Sequence, residues 1–355
     1  MIDQNALHHA EKCRFCWMCR HLCPVEHQTG REVNTPRAKG LLLSMVSKGT
    51  QHFDKDVAQA MYECLLCDAC TNDCATGYQP PLFIRQARTE AVVSELAPKA
   101  VMDLIANIDR TGNLYGMDKP SFGQNGTDVL VYIGEIAAMQ TPDMAKNFLA
   151  LLKKAGVSAR VLAQEPASGF LLGDLMGYTE EVRQQAMACA KALNAAKLPV
   201  VVLDSYDAEI MTQKYSEWGC EITAGVTTAT AYAAELLRQG RIETKKVVEE
   251  KAACHDDDCL ARTFHEFAPV RALARAAGFD LGEMFNHERL ARSCGTALAL
   301  AYMPEMTVKI AAERWKDLER VGRTAMVTAS PQAWLCLSRC VPEGCHLVDL
   351  YGELL

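Results

Sequence analysis

Eight cysteines in two identically spaced runs restrict what this chain can become more than any other feature of it. The first run is Cys13-Arg-Phe-Cys16-Trp-Met-Cys19-Arg-His-Leu-Cys23 and the second is Cys64-Leu-Leu-Cys67-Asp-Ala-Cys70-Thr-Asn-Asp-Cys74. Both read C-x2-C-x2-C-x3-C, a thiolate spacing that holds 4Fe–4S clusters, the fourth cysteine serving the other cluster where two sit together. Structural zinc sites are usually made from C-x2-4-C pairs, not from three such cysteines followed by a fourth. The spacing therefore predicts two 4Fe–4S clusters. With ligation crossing over, Cys13, Cys16, Cys19 and Cys74 hold one, and Cys64, Cys67, Cys70 and Cys23 hold the other. Each cluster would then tie together segments far apart in sequence, so metal binding would serve folding as well as electron transfer.

The remaining composition sets the frame. A chain of 355 residues suggests two to three domains, and a 49% hydrophobic content supplies material for a sizeable core. Eight further cysteines lie outside the runs: Cys189, Cys220, Cys254, Cys259, Cys294, Cys336, Cys340 and Cys345. Met1-Ile-Asp-Gln-Asn shows no signal-peptide pattern, and no apolar run reaches the length of a membrane span. Clustered thiols without a secretion signal point to a reducing, cytoplasmic setting, where cysteines bind metal or do redox work. The first hundred residues are electrically balanced, and the net charge of −7 comes from beyond them; nothing forms a basic nucleic-acid face. His8, His9, His21, His27 and His52 are expected to be solvated surface residues.

The N-terminal block reads as mostly helical. A short helix over 1–12 leads into the first run. Phe15, Trp17, Met18 and Leu22 are placed to shield a cluster from water, one of the levers on its potential. Thr35-Pro36 opens a helix through Leu41–Val46. A second helix covers 54–64, with Val57, Met61 and Cys64 on one stripe. Pro80-Pro81 breaks the chain before a helix over 82–97 that carries Arg85 and Arg88. Residues 111–126, rich in glycine, read as a linker. From Asp128 the pattern changes to strands alternating with helices: 129–133, 157–163 and 200–203 as strands, 142–155 and 180–196 as helices. That alternation argues for parallel α/β units.

The α/β pattern repeats. Ala167-Ser168-Gly169 echoes Ser293-Cys294-Gly295, and Val202-Leu-Asp-Ser205 echoes Val327-Thr-Ala-Ser330, at nearly equal spacing. The expected fold class is α+β multidomain: a helical two-cluster domain over 1–110, the linker, and two repeated α/β halves over 127–240 and 241–355.

These marks, with the Pro36-Arg37 segment, Cys254-His255-Asp256-Asp257-Asp258-Cys259 and the closing His346-Leu-Val-Asp-Leu, give the chain a resemblance to a known family. It resembles iron–sulfur subunits that join a helical two-cluster ferredoxin domain to paired cysteine-rich CCG domains. Among these are the glycolate oxidase iron–sulfur subunit, the C subunit of anaerobic glycerol-3-phosphate dehydrogenase, and heterodisulfide reductase subunits. In intact CCG domains, cysteines after an H-D-P turn, in Cys-Cys-Gly and in Cys-Pro-x-Cys can hold a further cluster. Here Ser168, Ser205, Ser293 and Ser330 stand in or beside those positions, and only Cys259 and Cys294 remain. A third metal site would have to draw on Cys254, Cys259, Cys294, Cys336, Cys340 and Cys345; the plainer reading is a set of buried thiols.

There is no G-x-G-x-x-G, P-loop or nucleophile elbow, so no catalytic residue is assigned. The resemblance implies an electron-transfer subunit of a flavin-dependent dehydrogenase. It would partner an FAD- or FMN-bearing subunit, pass electrons on to a quinone or an electron-transfer flavoprotein, and be compatible with peripheral membrane association. The alternative is a reductase of a disulfide, thiol or quinone at a rebuilt C-terminal cysteine site.

Overall fold

The helices of the N-terminal block begin where side chains can close their ends. Thr35 accepts the amide of Ala38 at the start of helix Pro36–Ser47, and Asp54 accepts that of Val57 at the start of helix Lys55–Tyr62. A computed structural model describes residues 3–245 and 250–355. Met1 and Ile2, where the helix expected over 1–12 would begin, lie outside the described residues, as do 246–249 within the expected second α/β half. The observed first helix is Gln4–Ala10, capped by Asp3.

Several helix boundaries differ from the sequence expectation; helix Lys55–Tyr62 ends before Cys64, so that cysteine is not on its stripe. Pro80 and Pro81 do not break the chain before a helix; they form its first turn, in helix Pro80–Val93. Proline is tolerated there because the first-turn amides have no intrahelical partner. That helix stops at Val93, and a separate helix, Lys99–Thr111, follows. Its buried Val101, Ile105 and Ile108 face the core, and Gly112 ends it at φ +75°. Of the five N-terminal histidines, His8, His21, His27 and His52 are exposed and His9 is half-buried.

Beyond residue 128 lie two four-stranded sheets, all of whose strands pair in parallel. The first contains β1 (Val129–Tyr132), β2 (Ala159–Arg160), β3 (Val200–Val202) and β4 (Val226–Thr228), in the order β2-β1-β3-β4. The second contains β5 (Lys251–Cys254), β6 (Asp280–Leu281), β7 (Ala325–Thr328) and β8 (His346–Asp349), in the order β6-β5-β7-β8. Replacing each strand of the first sheet by its counterpart in the second reproduces the order. The central strands β1, β3 and β7 are buried along their whole length, as their unbroken apolar sequences require. Strand β2 is much shorter than the expected 157–163. The chain instead bends back at Val161, which pairs with Gln124 of the preceding segment in an isolated antiparallel bridge.

One continuous apolar core joins the sheets. It runs from Val129, Val131 and Phe148 to Leu273, Val327, Val348 and Tyr351. Helix Ala229–Arg238 packs on helix Phe267–Ala276, and the terminal helix Leu350–Glu353 packs on helix Pro142–Lys154. The Gly169 and Gly295 echo has a backbone reason: both are left-handed, at φ +90° and +102°.

The segment after Gly112 is anchored to the first sheet through Glu135, whose carboxylate accepts the Leu114 amide at 2.6 Å. Burial raises the Glu135 carboxyl to about 7. Between the unfolded and folded pKa, the unfolded chain ionises while the folded one stays protonated, so stability falls as pH rises toward and through 7. From about pH 5.5 to about pH 8 this group should cost the wild type about 2 kcal/mol. Glu135→Gln should remove that part of the slope in denaturant unfolding; parallel curves for the two proteins would show that Glu135 is not the cause.

Candidate metal centre

The two cysteine runs adopt the same loop. In each, the residues flanking the second cysteine are left-handed without being glycine: Phe15 (φ +54°) and Trp17 (φ +69°) in the first, Leu66 (φ +56°) and Asp68 (φ +61°) in the second. In each, the amide two residues after the first cysteine donates to its sulfur, Phe15 N to Cys13 Sγ and Leu66 N to Cys64 Sγ, both at 3.4 Å. Left-handed backbone costs an ordinary L-residue roughly 1–2 kcal/mol. A conformation that incurs this cost twice per loop, and aims an amide at a sulfur, suits a chain wrapped around a sulfur-ligated group. The third cysteine of each run sits on a short helix, Cys19 on Met18–Leu22 and Cys70 on Ala69–Asn72.

The fourth cysteine of each run lies close to the other run. Cys23 precedes helix Pro24–Thr29 and lines a cavity together with Cys64, Cys67 and Cys70. The rest of that wall includes Leu66, Ile84 and Lys39. Cys67 and Cys70 owe their intermediate accessibility to this cavity and are otherwise enclosed. Cys74 lies 3.3 Å from Thr76 Oγ1, and Thr76 donates to the carbonyl of Lys12 at 3.1 Å. That bond docks the end of the second run beside Cys13. Burial pushes the Cys23 thiol up to about 11 and the Cys19 thiol up to about 12. Thiolates in such surroundings need positive charge to meet them, which iron supplies. The residues present therefore fit iron–sulfur ligation.

The two runs differ in exposure. Cys16, Phe15, Trp17 and Met18 are exposed. Of the apolar residues placed to shield a cluster here, Phe15, Trp17 and Met18 stand at the surface and Leu22 is half-buried, with Arg37 stacked 3.5 Å from the Trp17 ring centre. The second run is covered by the α/β region. Arg88, buried on helix Pro80–Val93, donates to the carbonyls of Cys64 (2.7 Å), Met61 (3.2 Å) and Asp174 (2.6 Å). Arg262 donates to the carbonyl of Cys67 at 2.6 Å and to Asp258 at 2.5 Å, and also to the carbonyl of Ala291. Val25 and Leu65 share an apolar cluster with Ala299 and Ile310.

The six C-terminal cysteines do not form one group. Cys294 and Cys336 are buried in one apolar cluster with Trp315, and Cys340 and Cys345 pack against it. Cys254 belongs to the core between the sheets, and Cys259 to a third cluster, its thiol 3.3 Å from Glu209. Ser168, Ser205, Ser293 and Ser330 belong to a buried hydroxyl–carboxylate network. Ser205 and Ser330 donate to the two oxygens of Asp257, each at 2.7 Å. Ser293 donates to Asp258 at 2.6 Å and Ser168 to Asp207 at 2.5 Å. Among the described residues, no three His, Cys, Asp or Glu side chains are placed to hold a single metal ion.

No pattern in the sequence marks Lys39, Arg88, Arg262 or the carboxylates of Asp257 and Asp258 as working groups, because their enclosure comes from segments distant in the chain.

The family described as 4Fe-4S dicluster domain matches residues 9–78. The probable glycolate oxidase iron-sulfur subunit of Bacillus subtilis is 31% identical, with 96% of this chain and 93% of that protein covered. The probable membrane-anchored ferredoxin of Chromohalobacter salexigens is 21% identical over 80% of this chain, and the probable iron-sulfur-binding oxidoreductase FadF of Bacillus subtilis is 23% identical over 70%. The chain spans only 46% and 39% of the lengths of these last two. A hypothetical protein from Helicobacter pylori has a similar fold, with a TM-score of 0.59 at 11% identity, over 99% of this chain and 72% of that one. Among the described residues, no helix is long and apolar enough to cross a membrane.

Asp257 also accepts the amides of Cys259 and Leu260, both at 3.1 Å. Its removal orphans two buried hydroxyls and a helix start at once. Asp257→Ala should destabilise the protein by about 3 kcal/mol in denaturant unfolding, against about 1 kcal/mol for Ser205→Ala. Equal, small losses in the two variants would show that the carboxylate is not the centre of the network.

Proposed function

Since the chain belongs to the family of the glycolate oxidase iron-sulfur subunit, we propose that it is the electron-transfer subunit of a flavin-dependent dehydrogenase. Its part is to relay single electrons through two 4Fe–4S clusters. The observation that carries this reading is the pair of matching loops, together with the cavity that Cys23 shares with Cys64, Cys67 and Cys70. It supports crossed ligation: Cys13, Cys16, Cys19 and Cys74 at one site, Cys64, Cys67, Cys70 and Cys23 at the other.

A bound 4Fe–4S cluster supplies one-electron transfer, whereas most substrate oxidations remove two electrons, so a flavin is the natural partner to divide the pair. The chain's own residues orient and insulate. The left-handed loops aim amides at sulfur, and Arg88 and Arg262 fix the carbonyls of the second run. Exposed Phe15, Trp17 and Met18 leave the first run approachable from outside, which suits it to exchange electrons with a partner. Electrons would leave the complex to a quinone or an electron-transfer flavoprotein.

In this reading the domains are 1–110, a linker over 111–126, and α/β halves over 127–240 and 241–355. The halves are repeats of one ancestral unit, for which the matching strand orders and the shared left-handed Gly169 and Gly295 are the support. They act as a scaffold with no substrate site of their own. The protein works in the cytoplasm, free or peripherally attached to a membrane. The separation of Cys254 and Cys259 from the Cys294 group gives the reductase alternative no footing.

Iron and sulfide analysis of anaerobically prepared protein should find about eight irons per chain. Cys23→Ser should damage the cluster of the second run, and Cys74→Ser that of the first, so that electron paramagnetic resonance of the reduced variants loses different signals. About four irons in the wild type would sink the two-cluster reading. Loss of the same signal in both variants would sink the crossover.

A further inference from the structure

Lys39 is the one buried lysine among the described residues, at 1% exposure. It points inward from helix Pro36–Ser47, away from exposed Leu41. Its ammonium donates to the carbonyl of Ala60 at 2.7 Å and to that of Val33 at 3.4 Å. An ammonium has three protons to donate, and the third has no carbonyl or carboxylate acceptor. The side chain lines the cavity that holds Cys23, Cys64, Cys67 and Cys70.

Burial pushes the Lys39 ammonium's pKa down; the Cys64 and Cys23 sulfurs and Glu63 act against that and favour the ammonium, while Arg88 opposes it. Glu63 is taken up by Asn34 Nδ2 at 2.5 Å and makes no ion pair with Lys39. The first run offers a contrast on the same helix. There Arg37 is paired with Glu32 at 2.6 Å and lies near solvent-exposed rings. One site is therefore enclosed beside a buried cation that makes no ion pair among the described residues, and the other is at the surface. An apolar side chain would fill the space beside Cys64 without the expense of burying a charge, so the charge itself calls for a role.

We propose that Lys39 is the fixed counter-charge of the Cys23–Cys64–Cys67–Cys70 site. It raises the reduction potential of the cluster there relative to the one at the first run. The proposal rests on the two-cluster reading above. The step it governs is the addition of one electron from an external reductant such as dithionite, in which no bond forms or breaks. Burial in a low-dielectric interior disfavours the added negative charge, and a fixed cation at close range offsets that penalty. Lys39 is thus a positioning and tuning residue, not a ligand.

The test uses the full chain, cluster-loaded and anaerobic, as wild type, Lys39→Met, Lys39→Gln, Lys39→Arg and Glu63→Gln. Iron is counted first, and reduced spins are then counted by electron paramagnetic resonance across a dithionite titration. In Lys39→Met the iron content should match wild type while one midpoint of the two moves to lower potential. At the potential that just reduces both wild-type centres, the spin count should fall to about half. Lys39→Arg, which keeps the charge, should stay close to wild type. Glu63→Gln, which removes a nearby carboxylate, should move the same midpoint upward. Unchanged midpoints in an iron-replete Lys39→Met overturn the proposal, as does a Lys39→Arg shift as large as that of Lys39→Met. If Lys39→Met does not hold iron, the neutral but hydrogen-bonding Lys39→Gln decides: a downward shift of one midpoint supports the proposal, and no shift overturns it. A wild type with a single cluster is a different result, since it defeats the two-cluster reading itself.

Discussion

The hold that two buried arginines keep on the second cysteine run organises the molecule. Arg88 binds the carbonyl of Cys64, and Arg262 that of Cys67. Each guanidinium also reaches into the α/β region, Arg88 to Asp174 O and Tyr302, Arg262 to Asp258 and Ala291. A guanidinium offers five donors in a rigid plane, so one side chain can fix several carbonyls from different segments. Buried without those acceptors it would be strongly destabilising. The cluster loop, the first sheet and the second sheet are thereby positioned by shared donors, and the apolar contact of Val25 and Leu65 with Ala299 and Ile310 closes around them.

Asymmetry follows from that arrangement. Both runs have the same spacing and the same left-handed residues, yet only the second is roofed by the α/β region. The first keeps Cys16 and its aromatic neighbours at the surface. Identical motifs thus acquire different solvation from what packs over them, and solvation and hydrogen bonding to sulfur are what a protein varies to set cluster potentials.

What the sequence disclosed, and what it withheld, divides along physical lines. Cysteine spacing, the caps at Thr35 and Asp54, the apolar run of β1 and the long helix Glu180–Ala196 depend on neighbours in the chain, and they were legible. Helix Lys99–Thr111 was legible in principle, since Val101, Ile105 and Ile108 fall on one helical stripe; the glycines that follow drew the eye to a linker. Pro80-Pro81 was ambiguous because proline both stops and starts helices. Lys39, Arg88, Arg262 and Asp257 were not legible at all. A charged residue reads as surface until its partners are known, and theirs come from segments distant in sequence. The serines at the lost cysteine positions show the same limit. Their hydroxyls could be seen as replacements, but not that two of them, from different sheets, would meet on one carboxylate.

That shared carboxylate has a mechanical meaning. Asp257 receives Ser205 from the end of the first sheet and Ser330 from the end of the second, while a common apolar core fills the space between the sheets. The two sheets cannot swing against one another without breaking the buried hydrogen bond from Ser205 to Asp257. A protein docking across both would meet a surface whose relative orientation is already set, and would lose little conformational entropy in fixing it. The α/β region thus presents a surface whose two parts are tied in one orientation by a buried hydrogen bond and a shared apolar core.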